Sequence, residues 1–344
     1  MSAQIVLPRI LQIGKGASLE LPKVLHTLGC KAGIESQVFD DTVPEPTVAS
    51  IQAGVAMARG NPFDCLVALG GGSPIDSAKA IAILARHGGV MRDYKFPRIV
   101  NEAGIPLIAI PTTAGTGSEV TRVTIITDET TDEKMLCVGL GFMPVAALVD
   151  YNLSVSAPAR ITADTGIDAL THAMEAYVSK KASLYTDSQA VEAMRLLAPN
   201  LRRAYHNGND LEAREAMMLG ATLAGVAFSN ASVALVHGMS RPIGANFHVP
   251  HGLSNAMLLP SVTAYSIPAA VERYADCARA MGVADATDND TVANEKLLVE
   301  LQALNDELKV PTPAPTTKAP LTSAPTSAPT PAPSATTAAP ATPY

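Results

Sequence analysis

Leu66-Val67-Ala68-Leu69-Gly70-Gly71-Gly72-Ser73-Pro74-Ile75-Asp76 is the stretch on which the reading of the fold turns. An apolar run ends in three glycines, then a serine, then a proline where a helix would begin. Short apolar runs bounded by glycine read as buried strands. Proline at the first helical position forfeits no needed donor, so strand, tight turn and helix are expected in succession. Glycine lets the backbone take positive φ and approach a ligand closely. The free N–H groups and positive dipole end of the helix would then face the space beyond the strand, which suits a pyrophosphate. The spacing is not G-x-G-x-x-G, so a tight turn with no ligand stays open as the plain alternative.

A second run, Pro111-Thr112-Thr113-Ala114-Gly115-Thr116-Gly117-Ser118-Glu119, follows another apolar segment, 105–110. Alone it reads as a polar turn; its hydroxyls and glycines also suit phosphate or ribose oxygens. Two such loops at the carboxyl ends of strands in one sheet define the crevice where open α/β sheets bind ligands. Around them, residues 1–155 alternate apolar, β-branched runs with amphipathic ones. Candidate strands are 36–39, 65–69, 106–110, 123–127 and 146–149, and candidate helices are 47–59 and 74–87. That alternation predicts a mostly parallel α/β sheet.

After Ser156 the texture changes. Over 163–179, 183–205, 211–229 and 268–280, apolar residues recur every three or four positions, and no run reads as a strand. The expected division is an α/β dinucleotide-binding domain over 1–157 and an all-helical metal-binding domain over 158–310. Residues 311–344 are almost wholly Pro, Thr, Ala and Ser. Such a segment offers too little apolar surface to fold and is expected to be a disordered tail.

Composition narrows the partners. The chain has 344 residues, a formal charge of −7 and no Lys/Arg run, so it lacks the basic stripe of a nucleic-acid binder. Its four cysteines, Cys30, Cys65, Cys137 and Cys277, form no C-x-x-C and read as buried, reduced thiols. No apolar run approaches the roughly 18 residues needed to span a bilayer, and the first residues lack a signal-peptide core. A cytoplasmic protein is expected, with its oligomeric state, homo-oligomer included, left open.

One constellation remains. Asp168 and His172 stand four apart on a predicted helix and so share a face. His237 and His251 each precede glycine, fourteen residues apart. One carboxylate and three imidazoles suit Fe²⁺ or Zn²⁺ better than Mg²⁺ or Ca²⁺. By spacing alone, a helix-surface pair and two turn histidines explain the pattern as readily.

Taken together, four strings resemble the iron-containing (group III) alcohol dehydrogenase family. They run from Gly70 to Lys79, from Pro111 to Thr121, from Gly166 to Glu175, and from His237-Gly238-Met239-Ser240 to Pro250-His251-Gly252. The resemblance implies a metal bound by Asp168, His172, His237 and His251. It implies NAD or NADP held by Gly71, Gly72, Ser73 and Asp76 on the first loop and Thr112, Thr113, Thr116 and Thr121 on the second. Lys134 and Leu153 would approach the nicotinamide ribose and ring. The implied chemistry is hydride transfer between a small alcohol or aldehyde and the coenzyme, with Fe²⁺ or Zn²⁺ as Lewis acid. A hydroxyacid–oxoacid transhydrogenase of the same superfamily, or an inactive binding or structural relative, are the alternatives.

Three departures accompany the resemblance. A strand and helix usual in the family are missing between Cys30 and Lys31, and further helices are replaced after Val310. Many members carry a histidine four residues after the first His-Gly, where this chain has Arg241, which is no base near neutral pH. His248 nearby reads as a loop histidine.

Overall fold

Parallel strands need long crossovers and cover on both faces, so strands near the middle of such a sheet read as unbroken apolar runs. Residues 107–111 and 146–149 have that character, and every one of them is buried. The computed structural model describes residues 3–30, 35–247 and 249–311. It contains strands β1 (Ile10–Ile13), β2 (Leu66–Gly70), β3 (Leu107–Pro111), β4 (Val123–Asp128), β5 (Glu133–Val138) and β6 (Ala146–Val149). Four of them form one parallel sheet in the order β1-β6-β3-β2, with the buried strands in the middle. Helices α1 (Leu21–Thr27), α2 (Val48–Gly60) and α3 (Gly72–His87) accompany it. Thr47 and Ser50 cap α2 reciprocally, each side chain accepting from the other's backbone N–H.

The rest is helical, as the periodicity implied: α4 (Ala159–Val178), α5 (Leu184–His206), α6 (Leu211–Asn230), α7 (Leu235–Phe247), α8 (His251–Ser266), α9 (Val271–Ala280) and α10 (Asp290–Glu307). Alanines and methionines of these helices, among them Ala173, Met194, Met217 and Ala224, make one continuous core. Small residues let the helix axes come close, which explains the composition.

Several expectations need correction. Residues 36–39 form no strand; Phe39 instead packs its ring against α2 beside Gly54. Residues 123–127 are a strand, but in a separate antiparallel ribbon of β4 with β5. Two strands had no strong signal: β1 is four residues long, and β5 alternates Lys134, Met135, Leu136 and Cys137 after a polar turn. Helices α7, α8 and α10 were not read from the periodicity; α7 and α8 contain Pro242 and Pro260. Cys30 and Cys65 are only half-buried, since both lie at the margin of the sheet's apolar cluster. The junction after Cys30, His248 and residues 312–344 fall outside the described residues.

The two glycine loops meet because of strand register. Gly70 stands opposite Pro111, and Thr112 N–H donates to the Gly70 carbonyl at 2.9 Å. The second loop then runs against α6. A Cβ on Gly117, whose φ is +60°, would lie 2.6 Å from Gly225 Cα, and one on Gly225 would lie 2.9 Å from Gly117 Cα. Backbone touches backbone there. Gly225→Val should therefore destabilise the protein by about 1–3 kcal/mol in urea unfolding. Gly60→Ala, where an added Cβ meets nothing within 4 Å, should stay within about 0.5 kcal/mol. Equal effects would contradict the close approach.

Candidate metal and coenzyme site

Asp168 and His172 sit one turn apart on α4, His237 lies in the first turn of α7, and His251 is the first residue of α8. One ligand atom from each lies within 4.8 Å of all the others. Asp168 Oδ1 is 3.5 Å from His237 Nε2 and 3.8 Å from His251 Nε2, and Oδ2 is 3.9 Å from His172 Nδ1. These separations are long for hydrogen bonds. Two ligands each about 2.1 Å from one tetrahedral ion would stand about 3.4 Å apart. His172 Nδ1 is buried with no hydrogen-bond partner, a costly state for a ring nitrogen unless a cation takes its lone pair. The residues present fit a divalent ion.

The electrostatics favour the same form. Burial opposes the charge on Asp168, yet the three surrounding imidazoles hold its carboxyl well below the usual range. Burial pushes His172 down to about 3 and His251 down to about 4, so both rings keep lone pairs at neutral pH. His237 differs. Burial disfavours its charge too, but Asp168 and Glu175 overcome that and raise it to about 9. Asn255 Nδ2 nevertheless faces His237 Nε2 at 3.1 Å while donating to Asp168 Oδ1 at 2.6 Å. A donor placed there requires an unprotonated Nε2, so this geometry belongs to the ring that has a lone pair to give.

Glu175 sets that tautomer. Its Oε2 accepts from His237 Nδ1 at 2.6 Å and its Oε1 from Val236 N–H at 2.6 Å. With Nδ1–H committed, Nε2 points its lone pair at the cluster, the usual arrangement behind a metal-binding imidazole. The sequence held this signal unread: Glu175 lies seven residues after Asp168, on the same helix face as His172. Asn255, one turn after His251, could have been found the same way.

A cavity of about 660 Å³ joins this cluster to the glycine loops. Gly72, Ser73, Asp76, Thr116 and Thr121 line it together with the four metal candidates and Lys134. Lys134 Nζ pairs with Glu45 Oε2 at 2.7 Å, and Glu45 N–H donates to Ser73 Oγ. Gly71 opens α3 from behind the cavity, where a Cβ would press on Thr113 at 3.2 Å. Thr112 and Thr113 do not line the cavity, and Thr113 faces a small void beside Arg214. Leu153 packs on the apolar cluster around Ile108 and Ile110.

Two of the expected coenzyme residues are committed to holding the loops. Asp76 accepts from Ser118 Oγ at 2.6 Å and from Ile125 N–H at 3.0 Å. Thr121 gives its hydroxyl and carbonyl to Lys79 Nζ, which also donates to Ser118 Oγ and to the Val123 carbonyl. Burial drives the Lys79 ammonium down to about 8, opposed by Asp76 and Glu119. Lys79 therefore ties the second loop and β4 to α3.

The comparisons with known proteins agree with this arrangement. Residues 8–151 match the family model of iron-containing alcohol dehydrogenase, and residues 162–317 match that of the Fe-containing alcohol dehydrogenase family, C-terminal. A long-chain-alcohol dehydrogenase of Geobacillus thermodenitrificans is 40% identical over 337 residues, covering 90% of this chain and 85% of that one. The crystal structure of a 1,3-propanediol oxidoreductase superposes with a TM-score of 0.85 at 35% identity, covering 90% and 88%. A sulfoacetaldehyde reductase from Bifidobacterium kashiwanohense, in complex with NAD+, gives 0.82 at 29%, covering 91% and 87%. A parallel-sheet domain followed by a helical one, matched along most of the chain by these dehydrogenases, makes this protein an oxidoreductase. This chain belongs to the iron-containing alcohol dehydrogenase family. No single helix among the described residues is long and apolar enough to cross a membrane.

An ion held here must displace any proton from His237 Nε2. Uptake should therefore strengthen as pH rises and level off above about 9. Glu175→Gln should weaken retention by about 10- to 100-fold and move that plateau to lower pH. Chelator competition across pH checks both; uptake indifferent to pH and to Glu175 would contradict the geometry.

Proposed function

We propose that this protein interconverts a small alcohol and its carbonyl product with NAD or NADP, using one divalent ion, Fe²⁺ or Zn²⁺, at Asp168, His172, His237 and His251. The observation that carries the reading is the convergence of these four side chains within 4.8 Å in the same cavity that Gly72 and Ser73 line. Residues 1–157 would serve the coenzyme, and residues 158–310 the metal and substrate.

When bound, the ion supplies Lewis acidity toward the substrate oxygen and the nicotinamide supplies the hydride-accepting carbon. Everything else falls to the chain. The Asp168 carboxylate offsets part of the ion's charge and leaves a net positive centre. Glu175 keeps Nδ1–H of His237 occupied, so Nε2 stays directed at the ion. The N-terminus of α3 offers its free N–H groups to the coenzyme's pyrophosphate. Lys79 fixes Ser118, Thr121 and Val123, and Ser118 N–H in turn donates to the Thr116 hydroxyl at 3.2 Å. No imidazole beyond the ligand set lines the cavity among the described residues. The relatives' names support alcohol substrates, and the NAD+ bound in one related structure supports the coenzyme class.

His237→Ala should lower bound metal below one ion per chain and reduce alcohol oxidation by at least about 100-fold, followed by coenzyme absorbance. Chelation should abolish turnover, and Fe²⁺ or Zn²⁺ should restore it. Unchanged metal and turnover would refute the reading. Turnover without added coenzyme would favour the transhydrogenase, and absence of coenzyme binding with metal retained would favour an inactive relative.

A further inference from the structure

Arg241 follows His237 by one turn of α7, so the two side chains share a helix face, and both line the cavity. Its Nε is buried and has no hydrogen-bond partner. Burial also depresses its pKa from the ordinary arginine value, and only Glu175 opposes that. Glu175, however, already accepts from His237 Nδ1 and Val236 N–H. The carboxylates that line the cavity are likewise committed: Glu45 to Lys134, Asp76 to Ser118 and Ile125, Asp168 to the imidazole cluster. No ion pair of Arg241 with any described residue exists. Arg241 is half-buried, and a guanidinium with a buried, unpartnered Nε and no carboxylate beside it favours an anion that supplies the missing acceptor.

We propose that Arg241 receives the anionic head of the substrate, a carboxylate or sulfonate, so that this protein's alcohols are short hydroxy acids. The inference rests on the dehydrogenase reading above and names the substrate class of that same site. Four helical residues rise about 6 Å, so the long arginine side chain can meet a short ligand whose hydroxyl lies at the metal candidates. A planar guanidinium matches either oxyanion with two parallel N–H donors, which a lysine ammonium does not. Arg122 and Lys181 also line the cavity without a carboxylate partner among the described residues, so the field of the whole chamber favours an anion.

The test uses metal-loaded protein with saturating coenzyme, so that the pyrophosphate site is already filled. Calorimetry would follow propionate, propanesulfonate and 1-propanol. Kinetics would compare 3-hydroxypropionate and 2-hydroxyethanesulfonate with 1-propanol. Wild-type protein should bind the anions and prefer the anionic alcohols, the tighter of the two revealing which head group fits. R241A should weaken anion binding and kcat/KM for anionic alcohols by about 10- to 100-fold, mainly through KM. R241K, which keeps the charge and loses the fork, should recover part of it and guards against a misfolded alanine variant. Anion binding unchanged in R241A, or equal preference for 1-propanol in the wild type, would overturn the inference. Arg241-dependent anion binding with no turnover of either alcohol class would support it while counting against the dehydrogenase reading.

Discussion

A single buried carboxylate imposes the strongest constraint on this structure. Asp168 is 2% exposed, ionised, and ringed by three imidazoles and an amide. A charge in such a place demands compensation, and α4, α7 and α8 all begin or pass where their side chains can give it. The helical half is arranged around that demand. His172 also stacks on Phe228 of α6 at 4.2 Å and on His237 at 4.5 Å, so the rings are packed on their faces while their nitrogens turn inward. Glu175 stands behind His237 at Nδ1, and the Asn255 amide lies among Asp168 Oδ1, His237 Nε2 and His251 Nε2.

The coenzyme side depends on a second buried charge of opposite sign. Lys79, 1% exposed, gathers Ser118, Thr121 and Val123, and Asp76 completes the group from the same helix. Glycines give the other half of the construction. At Gly70 and Gly117 the backbone takes φ values of +153° and +60°, and at Gly72 a Cβ would stand 2.6 Å from Thr116 Cγ2. A side chain at Gly70 would press on Pro74 and one at Gly117 on Gly225, so these two glycines permit the turns, while Gly72 leaves room at the cavity beside Thr116.

The legible and illegible parts of the sequence divide along physical lines. Buried strands and Ala-rich helices were readable because burial imposes a period, and the glycine loops were readable because only glycine tolerates their backbone. Gly72 and Thr116 do reach the common cavity, and the four residues singled out as metal ligands do converge. The ribbon β4–β5 and the short edge strand β1 were harder, since partly exposed strands carry weak alternation. Asp76 and Thr121 line the cavity and also hold the loop together, a second role that residue type alone does not reveal. Leu153, expected near the nicotinamide, packs in the sheet's core instead of lining the cavity. Arg241 was conspicuous only as a missing base; its unpaired burial is visible only in three dimensions.

The central claim is that Asp168, His172, His237 and His251 share one ion. X-ray absorption at the metal edge of zinc-loaded protein addresses it most directly. One zinc per chain is expected, with three nitrogen ligands and one oxygen ligand from the protein at about 2.0–2.2 Å, and with the nitrogen count reduced in His237→Ala. A zinc shell made only of oxygens, or one unaltered by that substitution, would contradict the account.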